Sequence, residues 1–196
     1  MEADFKIIGI TLADFVVDNE AERITRLLCS GAVDRMHIRK PCCSADIIAN
    51  VLEAIPRELH KRLSLHDVPE LLEKYPDVGF HFNSRYPSGV SAPVLSRSCH
   101  STAEVLDADA ELEYVTLSPV FDSLSKSGYK GRTFHNEREA VATRKVVALG
   151  GVTPSRFPEL KERGFSGAAM LGYLWNPLTD IENIIEEIHR WKNCNS

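Results

Sequence analysis

The chain has 196 residues, of which 43% are hydrophobic and 26% are charged, and its formal net charge is −5 at pH 7. A chain of this size can bury roughly 70% of the surface that it exposes when unfolded, so we expect one domain over residues 1–196. The acidic balance argues against a nucleic-acid or membrane partner, because both favour basic surfaces, and no run of 18 apolar residues predicts a membrane span.

Short β-branched runs alternate with amphipathic stretches along the whole chain. The runs predict eight strands, at residues 6–11, 34–40, 62–67, 78–83, 94–99, 114–120, 145–151 and 167–174. The amphipathic stretches predict helices at residues 20–30, 44–54, 101–108, 153–163 and 179–192. Alternation of this kind is typical of parallel sheets, and eight repeats predict an α/β fold of the (β/α)8 TIM-barrel type.

Two connections depart from the strand–helix pattern. Residues 84–93, between strands four and five, contain Pro87, Gly89 and Pro93, so we expect a shortened or missing helix there. Residues 121–135 form the longest irregular segment, and long loops on compact barrels often carry function.

Polar side chains collect at the carboxyl ends of the predicted strands, where barrels of this type build their active sites. They are His37, Arg39, His66, Asp67, His81, Asn83, Ser98 and His100. Alternate strand residues share a face, so His37 lies on the same side as Arg39, and Ser98 on the same side as His100. We expect these polar faces to point into the barrel and to line a pocket.

Glycines follow strands seven and eight, where many barrels bind phosphate through backbone N–H groups. Glycine allows the backbone to approach an anion closely. The sequence therefore predicts a phosphate site at Gly150, Gly151, Leu171 and Gly172.

Four motifs, taken in order, carry a family resemblance. They are Ser-Arg-Ser-Cys-His-Ser-Thr-Ala-Glu at 96–104, Tyr-Val-Thr-Leu-Ser-Pro-Val-Phe at 114–121, Val-Ala-Leu-Gly-Gly-Val at 147–152 and Gly-Phe-Ser-Gly-Ala-Ala-Met at 164–170. With them the chain resembles the thiamine phosphate synthase/thiazole tautomerase (TenI-type) superfamily over nearly its full length. The fold that this resemblance implies is again the (β/α)8 barrel.

The resemblance implies one of two activities on a phosphorylated thiazole. The synthase joins a pyrimidine pyrophosphate to a thiazole phosphate and releases pyrophosphate with magnesium. The tautomerase moves a proton to convert a non-aromatic thiazole carboxylate phosphate into its aromatic form, which needs no metal or redox cofactor. Dimers and trimers occur in the family, so the resemblance also allows a homo-oligomer.

Several positions depart from the synthase pattern. The family's Gln-x-Arg-x-Lys signature on strand two reads His37, Arg39 and Pro41 here, with Lys40 one place early. The Asn-Asp pair at strand three becomes His66-Asp67, and the second magnesium aspartate aligns with Arg85. Losing one of two carboxylates weakens a magnesium site, because magnesium prefers oxygen ligands.

Other synthase positions are retained. Ser98 matches a serine on the pyrimidine side of the family's site. Ser123, Ser125 and Lys126 match, conservatively altered, the Thr-x-Thr-Lys of the pyrophosphate loop.

We interpret the chain as a TenI-like thiazole tautomerase. His100 aligns with the histidine that carries the proton in that enzyme, and a pKa near neutrality suits imidazole to the task. Arg39 and Arg85 would meet the substrate carboxylate, and His37 and His66 would contact the substrate. Asp67 keeps three interpretations: a magnesium ligand in the synthase, a polar contact to the substrate, or the partner of an arginine.

Two alternatives stay open. One is thiamine phosphate synthase, with magnesium held by Asp67 and the substrate pyrophosphate. The other is a non-catalytic protein that binds thiazole phosphate or thiamine phosphate.

The cysteines bear on the compartment. There are five, their spacing fits no zinc motif, and we expect reduced thiols in the cytoplasm, with no role assigned to Cys42 and Cys43. Acidic residues precede the first short apolar run and no cleavage site follows it, so we expect no signal peptide.

Overall fold

The structure, a computed structural model, describes residues 5–13, 15–122 and 131–194. Eight parallel strands close into a barrel in chain order, and β1 pairs with β8 to complete it. The strands are β1 (Lys6–Ile10), β2 (Arg35–Ile38), β3 (Leu63–Leu65), β4 (Gly79–Phe82), β5 (Leu95–Cys99), β6 (Tyr114–Leu117), β7 (Val146–Leu149) and β8 (Gly167–Met170). The predicted (β/α)8 barrel is confirmed, with each strand shorter than predicted.

Six α-helices lie between or after the strands. They are α1 (Glu20–Cys29), α2 (Ala45–Glu53), α3 (Thr102–Leu106), α4 (Glu137–Thr143), α5 (Phe157–Glu162) and α6 (Ile181–Cys194). Short 3₁₀ helices span Arg57–Arg62, Pro69–Glu73 and Pro154–Arg156. Residues 83–94, all of them described, contain no helix, which confirms the missing helix between β4 and β5.

The structure corrects the helix predictions at two places. Helix α4 was missed because it is short and buries only Ala140, so it has no apolar periodicity. The predicted helix at 153–163 is a 3₁₀ turn followed by α5. The described helices include none with both the length and the apolar character of a membrane span.

Side-chain alternation divides the core into an outer layer and a barrel interior. Met36 and Ile38 of β2 pack outward with helix residues such as Ile24, Leu27 and Ile48, as the alternation predicts. Inside, the side of β7, β8 and β1 is apolar, and the side of β2 to β6 is polar. The apolar side chains include Ile8, Ile10, Val147 and Ala169; the buried polar ones are His37, Ser64, His66, His81, Ser96 and Thr116.

A buried ion pair fastens the loop between β1 and α1. The Nζ of Lys40 lies 2.8 Å from Oε1 of Glu20, and both side chains are at most 1% exposed. Lys40 also donates to the backbone oxygen of Leu12 at 2.7 Å, and Glu20 accepts the N–H of Val17 at 3.0 Å. The side chain of Lys40 therefore points away from the barrel interior, and its contacts stabilise the loop between β1 and α1.

We expect Glu20→Gln to lower the free energy of unfolding by about 3 kcal/mol, because it leaves the buried ammonium of Lys40 without its counter-charge. Urea unfolding of the variant measures this. The matched control is Glu53→Gln, which removes an exposed pair with Lys74 and should leave stability nearly unchanged. Equal losses in the two variants would contradict the role given to the buried pair.

Candidate active site

A cavity of about 650 Å³ opens at the carboxyl ends of the barrel strands. Its wall includes these residues predicted from the sequence: Arg39, His66, Arg85, Ser98, His100, Gly150, Gly151, Leu171 and Gly172. His37 and Asp67 lie outside the wall. Ser123, Ser125 and Lys126 fall outside the described residues.

One side of the cavity is built from glycine backbone after β7 and β8. Gly150 and Gly151 have positive φ angles of 100° and 61°, which side chains of L-residues rarely adopt. A Cβ on Gly151 would lie 2.0 Å from the backbone oxygen of Asp122, so only glycine fits there. Within the described part of the chain, no acceptor is found for the N–H groups of Gly151 and Gly172. Unpaired N–H groups beside a cavity suit an anionic ligand.

The cavity wall also carries three guanidinium groups, those of Arg39 after β2, Arg85 after β4 and Arg97 on β5. The side chain of Arg39 makes no hydrogen bond or ion pair to any described residue, whereas Arg97 pairs with Asp109 at 2.9 Å. Arg85 donates from Nε to Oδ1 of Asp67 at 3.0 Å, with a second, shorter contact from its terminal nitrogen. Among the described arginines of the wall, Arg39 is therefore the one whose charge is unengaged.

The contact between Arg85 and Asp67 bears on the interpretations of Asp67, which stay predictions. Its carboxylate is only 8% exposed and is the partner of a guanidinium. Magnesium would have to bind beside that positive charge, with an arginine where the family has its second carboxylate. The residues present here therefore do not fit a magnesium site of the synthase type.

His100 stands on the cavity wall just after β5, and two local contacts orient it. Its Nδ1 lies 3.2 Å from Oγ and 3.4 Å from the backbone oxygen of Ser118. A carbonyl oxygen only accepts, so this pairing favours the tautomer with hydrogen on Nδ1 and a lone pair on Nε2. Its backbone N–H donates to the carboxylate of Glu104, and the backbone N–H of Glu104 donates to the hydroxyl of Ser101. Ser101 and Glu104, which cap the start of α3, thus also hold His100.

The floor of the cavity is a hydrogen-bonded cluster of three histidines. His37 Nδ1 lies 2.8 Å from His66 Nε2, and His37 Nε2 lies 2.6 Å from the hydroxyl of Tyr114. The ring nitrogens of His81 each lie 2.8 Å from a serine hydroxyl, Ser96 on one side and Ser98 on the other. His66 and His81 stack with ring centroids 4.2 Å apart.

Burial sets the protonation of this cluster. It lowers the pKa of His81 to about 3 and, with the neighbouring histidines, holds the pKa values of His37 and His66 well below the ordinary value. It also raises the pKa of Tyr114 to about 12. The three imidazoles are therefore neutral near pH 7. The sequence predicts that His37 contacts substrate; its side chain is 0% exposed, and its hydrogen-bond partners among the described residues are His66 and Tyr114.

Sequence reasoning missed two polar residues of β6. Tyr114 supports His37, and Thr116 lines the cavity with its hydroxyl buried and without a hydrogen-bond partner among the described residues. Both lie on the face that Ser118 shares, so the alternation along β6 was the available signal. Cys99 packs in the outer core, where burial raises its pKa to about 11, so it is not a nucleophile in this site.

Comparisons with known proteins agree with the fold and the motifs. A family model described as thiamine monophosphate synthase matches residues 90–174. A thiamine phosphate pyrophosphorylase from Bacteroides thetaiotaomicron has 32% identity and a TM-score of 0.81, covering 98% of this chain and 100% of that one. No curated protein matches significantly.

More distant structures share the fold alone. A thiamine phosphate pyrophosphorylase from Pyrococcus furiosus has 18% identity and a TM-score of 0.75, covering 97% of this chain and 96% of that one. A (S)-3-O-geranylgeranylglyceryl phosphate synthase from Thermoplasma acidophilum has 10% identity and a TM-score of 0.66, over 97% of this chain and 93% of its own.

We expect Gly151→Ala to weaken the binding of inorganic phosphate by about tenfold or more, the loss of roughly one charged hydrogen bond. The new Cβ must push away the backbone of Asp122. Isothermal titration calorimetry measures the affinity. The matched control is Gly31→Ala, which imposes the same positive-φ strain with no atom within 4 Å and should leave binding unchanged. Unaltered binding in Gly151→Ala would count against a phosphate cradle here.

Proposed function

This chain belongs to the thiamine phosphate synthase/TenI superfamily, and on that premise we propose that it is a thiazole tautomerase of thiamine biosynthesis. Its substrate is a non-aromatic thiazole carboxylate phosphate, and its product is the aromatic isomer. The observation that carries the proposal is one cavity with two anion-binding sides, an unengaged guanidinium and a glycine backbone, and an imidazole on the wall.

Two ends of the substrate match two sides of the cavity. The phosphate binds to the N–H groups of Gly151 and Gly172, where no protein acceptor competes among the described residues. The carboxylate binds to Arg39, whose guanidinium is free to make a bidentate contact. His100 follows β5, which lies across the closed barrel from β1, whereas Arg39 follows β2 and Gly172 follows β8, the two neighbours of β1. A thiazole ring held by its phosphate and carboxylate on that side would face the imidazole across the cavity.

The chemistry is a proton transfer between two carbon atoms. His100 accepts a proton from the non-aromatic ring on Nε2, and returns a proton to the second carbon as the double bonds shift. Ser118 supports the positive imidazole through Nδ1, and Arg39 stabilises the negative charge that spreads onto the carboxylate. No electrons leave the substrate, so the step needs no redox partner.

The synthase is the second candidate, because the relative with 32% identity bears the name thiamine phosphate pyrophosphorylase. Two features count against it. Lys40, one place before the lysine position of the synthase signature, is buried in an ion pair with Glu20 and is not available to a substrate. Arg85 stands at the position of the second magnesium carboxylate and pairs with Asp67. Magnesium and pyrophosphate release belong to this candidate alone.

A paired assay tests the assignment. One arm follows aromatisation of the thiazole carboxylate phosphate; the other offers pyrimidine pyrophosphate, thiazole phosphate and magnesium. We expect turnover in the first arm only, and a fall in kcat of at least about 100-fold in His100→Asn, because general acid–base catalysis is lost. His189→Gln is the matched control, since that histidine contacts the backbone oxygen of Ser30 and does not line the cavity.

Other outcomes of the paired assay assign the protein differently. Thiamine phosphate formation in the second arm makes it a synthase. Phosphate-ligand binding without turnover in either arm makes it a non-catalytic binder.

A second variant tests the carboxylate site. We expect Arg39→Gln to raise KM for the thiazole carboxylate phosphate by about tenfold or more, the value of a hydrogen bond to a charged group. Thiazole phosphate, which lacks the carboxylate, should bind to the variant as it does to the wild type. If Arg39→Gln weakened the binding of both ligands equally, Arg39 would not be the group that binds the carboxylate.

A further inference from the structure

The three histidines at the cavity floor form a convergent set of nitrogen donors. His37, His66 and His81 come from neighbouring strands or their ends, and each is at most 4% exposed. One ring nitrogen from each lies within 4.8 Å of the other two. Barrel interiors are filled mostly by branched apolar side chains, so a cluster of three imidazoles is unusual there.

The chemistry of these donors selects a class of cation. No carboxylate belongs to the cluster, and the nearby Asp67 is paired with Arg85. Neutral imidazoles offer lone pairs that suit Zn²⁺, Co²⁺, Ni²⁺ and Cu²⁺, whereas Mg²⁺ and Ca²⁺ prefer oxygen ligands. The set therefore fits a transition metal and not the magnesium of a synthase.

Small ring movements would bring the donors to coordination distance. Nitrogen–zinc bonds of about 2.0–2.1 Å place tetrahedral donors about 3.3 Å apart. The His37 Nδ1 to His66 Nε2 separation is 2.8 Å, and no pair of donors is more than 4.8 Å apart. The closest pair would have to separate by about 0.5 Å and the widest pair to approach by at most about 1.5 Å.

Outer hydrogen bonds are in place to orient the ligands. Metal-binding histidines usually engage their second nitrogen with a polar partner. The hydroxyl of Tyr114 holds His37 through Nε2, and Ser96 and Ser98 flank the two nitrogens of His81. Whichever nitrogen of His81 turns to a metal, a serine remains on the other.

We propose that His37, His66 and His81 bind one divalent transition-metal ion of the zinc class, with its fourth coordination position directed into the cavity. His66 and His81 line the cavity, so that position is reachable by water or by a ligand. Thr116, beside Ser98 in the β5–β6 register, has a buried hydroxyl with no partner among the described residues. It can accept a hydrogen bond from water at the fourth position. The site is independent of the proposed tautomerase, which needs no metal.

Metal binding to the chelator-treated, tag-free protein tests the site directly. After addition of Zn²⁺ or Co²⁺ and gel filtration, we expect one metal per chain by elemental analysis. Cobalt should give a d–d spectrum without sulfur charge transfer, and three contact-shifted imidazole N–H resonances in the NMR spectrum. The NMR count is made on the wild type, so it holds even where a histidine variant fails to fold.

Variants separate this site from others that bind metal. We expect His66→Gln and His81→Gln to weaken cobalt binding by more than about tenfold. His100→Asn, in the same cavity but outside the cluster, and Cys42→Ser/Cys43→Ser should bind as the wild type does. Absence of bound metal, thiolate charge transfer in the cobalt spectrum, or undiminished binding in the two glutamine variants would overturn the proposal.

Discussion

The interior of a closed barrel is largely shielded from water, so its inward-facing polar side chains are stabilised mainly by pairing with one another. In this protein β2 to β6 direct imidazole and hydroxyl groups into that space, and they meet each other: His37 contacts Tyr114, and His81 bridges two serines. Burial keeps the imidazoles neutral. Arg39 follows β2 and Ser98 lies on β5, so the strands that carry the buried cluster also position these residues of the cavity wall.

The other half of the barrel, formed by β7, β8 and β1, contributes apolar side chains and glycine backbone to the cavity. Apolar side chains of β7, β8 and β1 fill their part of the interior, and Gly151 and Gly172 on the cavity wall have backbone N–H groups with no acceptor among the described residues. Charges elsewhere are already paired: Lys40 with Glu20, and Arg85 with Asp67. Among the described residues of the cavity wall, the guanidinium of Arg39, the glycine backbone and His100 remain for a ligand. Under the proposed function, these groups suit a small substrate that carries a phosphate and a carboxylate.

Much of this architecture was predictable, because strand alternation is a short-range pattern. All eight strands, the outward packing of Met36 and Ile38, and the missing helix before β5 follow from local sequence. Helix α4 was not predictable, since a single buried alanine leaves no periodicity. The contact between His37 and His66 depends on barrel closure and on side-chain rotamers, which no local pattern specifies. The contact between Asp67 and Arg85 likewise depends on barrel closure and side-chain rotamers, and no local pattern specifies it.

The most direct test of the proposed site is a crystal structure with the aromatic thiazole carboxylate phosphate bound. We expect the phosphate within hydrogen-bond distance of the Gly151 and Gly172 N–H groups, and the carboxylate on Arg39. We also expect His100 Nε2 to face the ring. A ligand bound with its phosphate on Arg39, or with His100 turned away from the ring, would contradict the proposal.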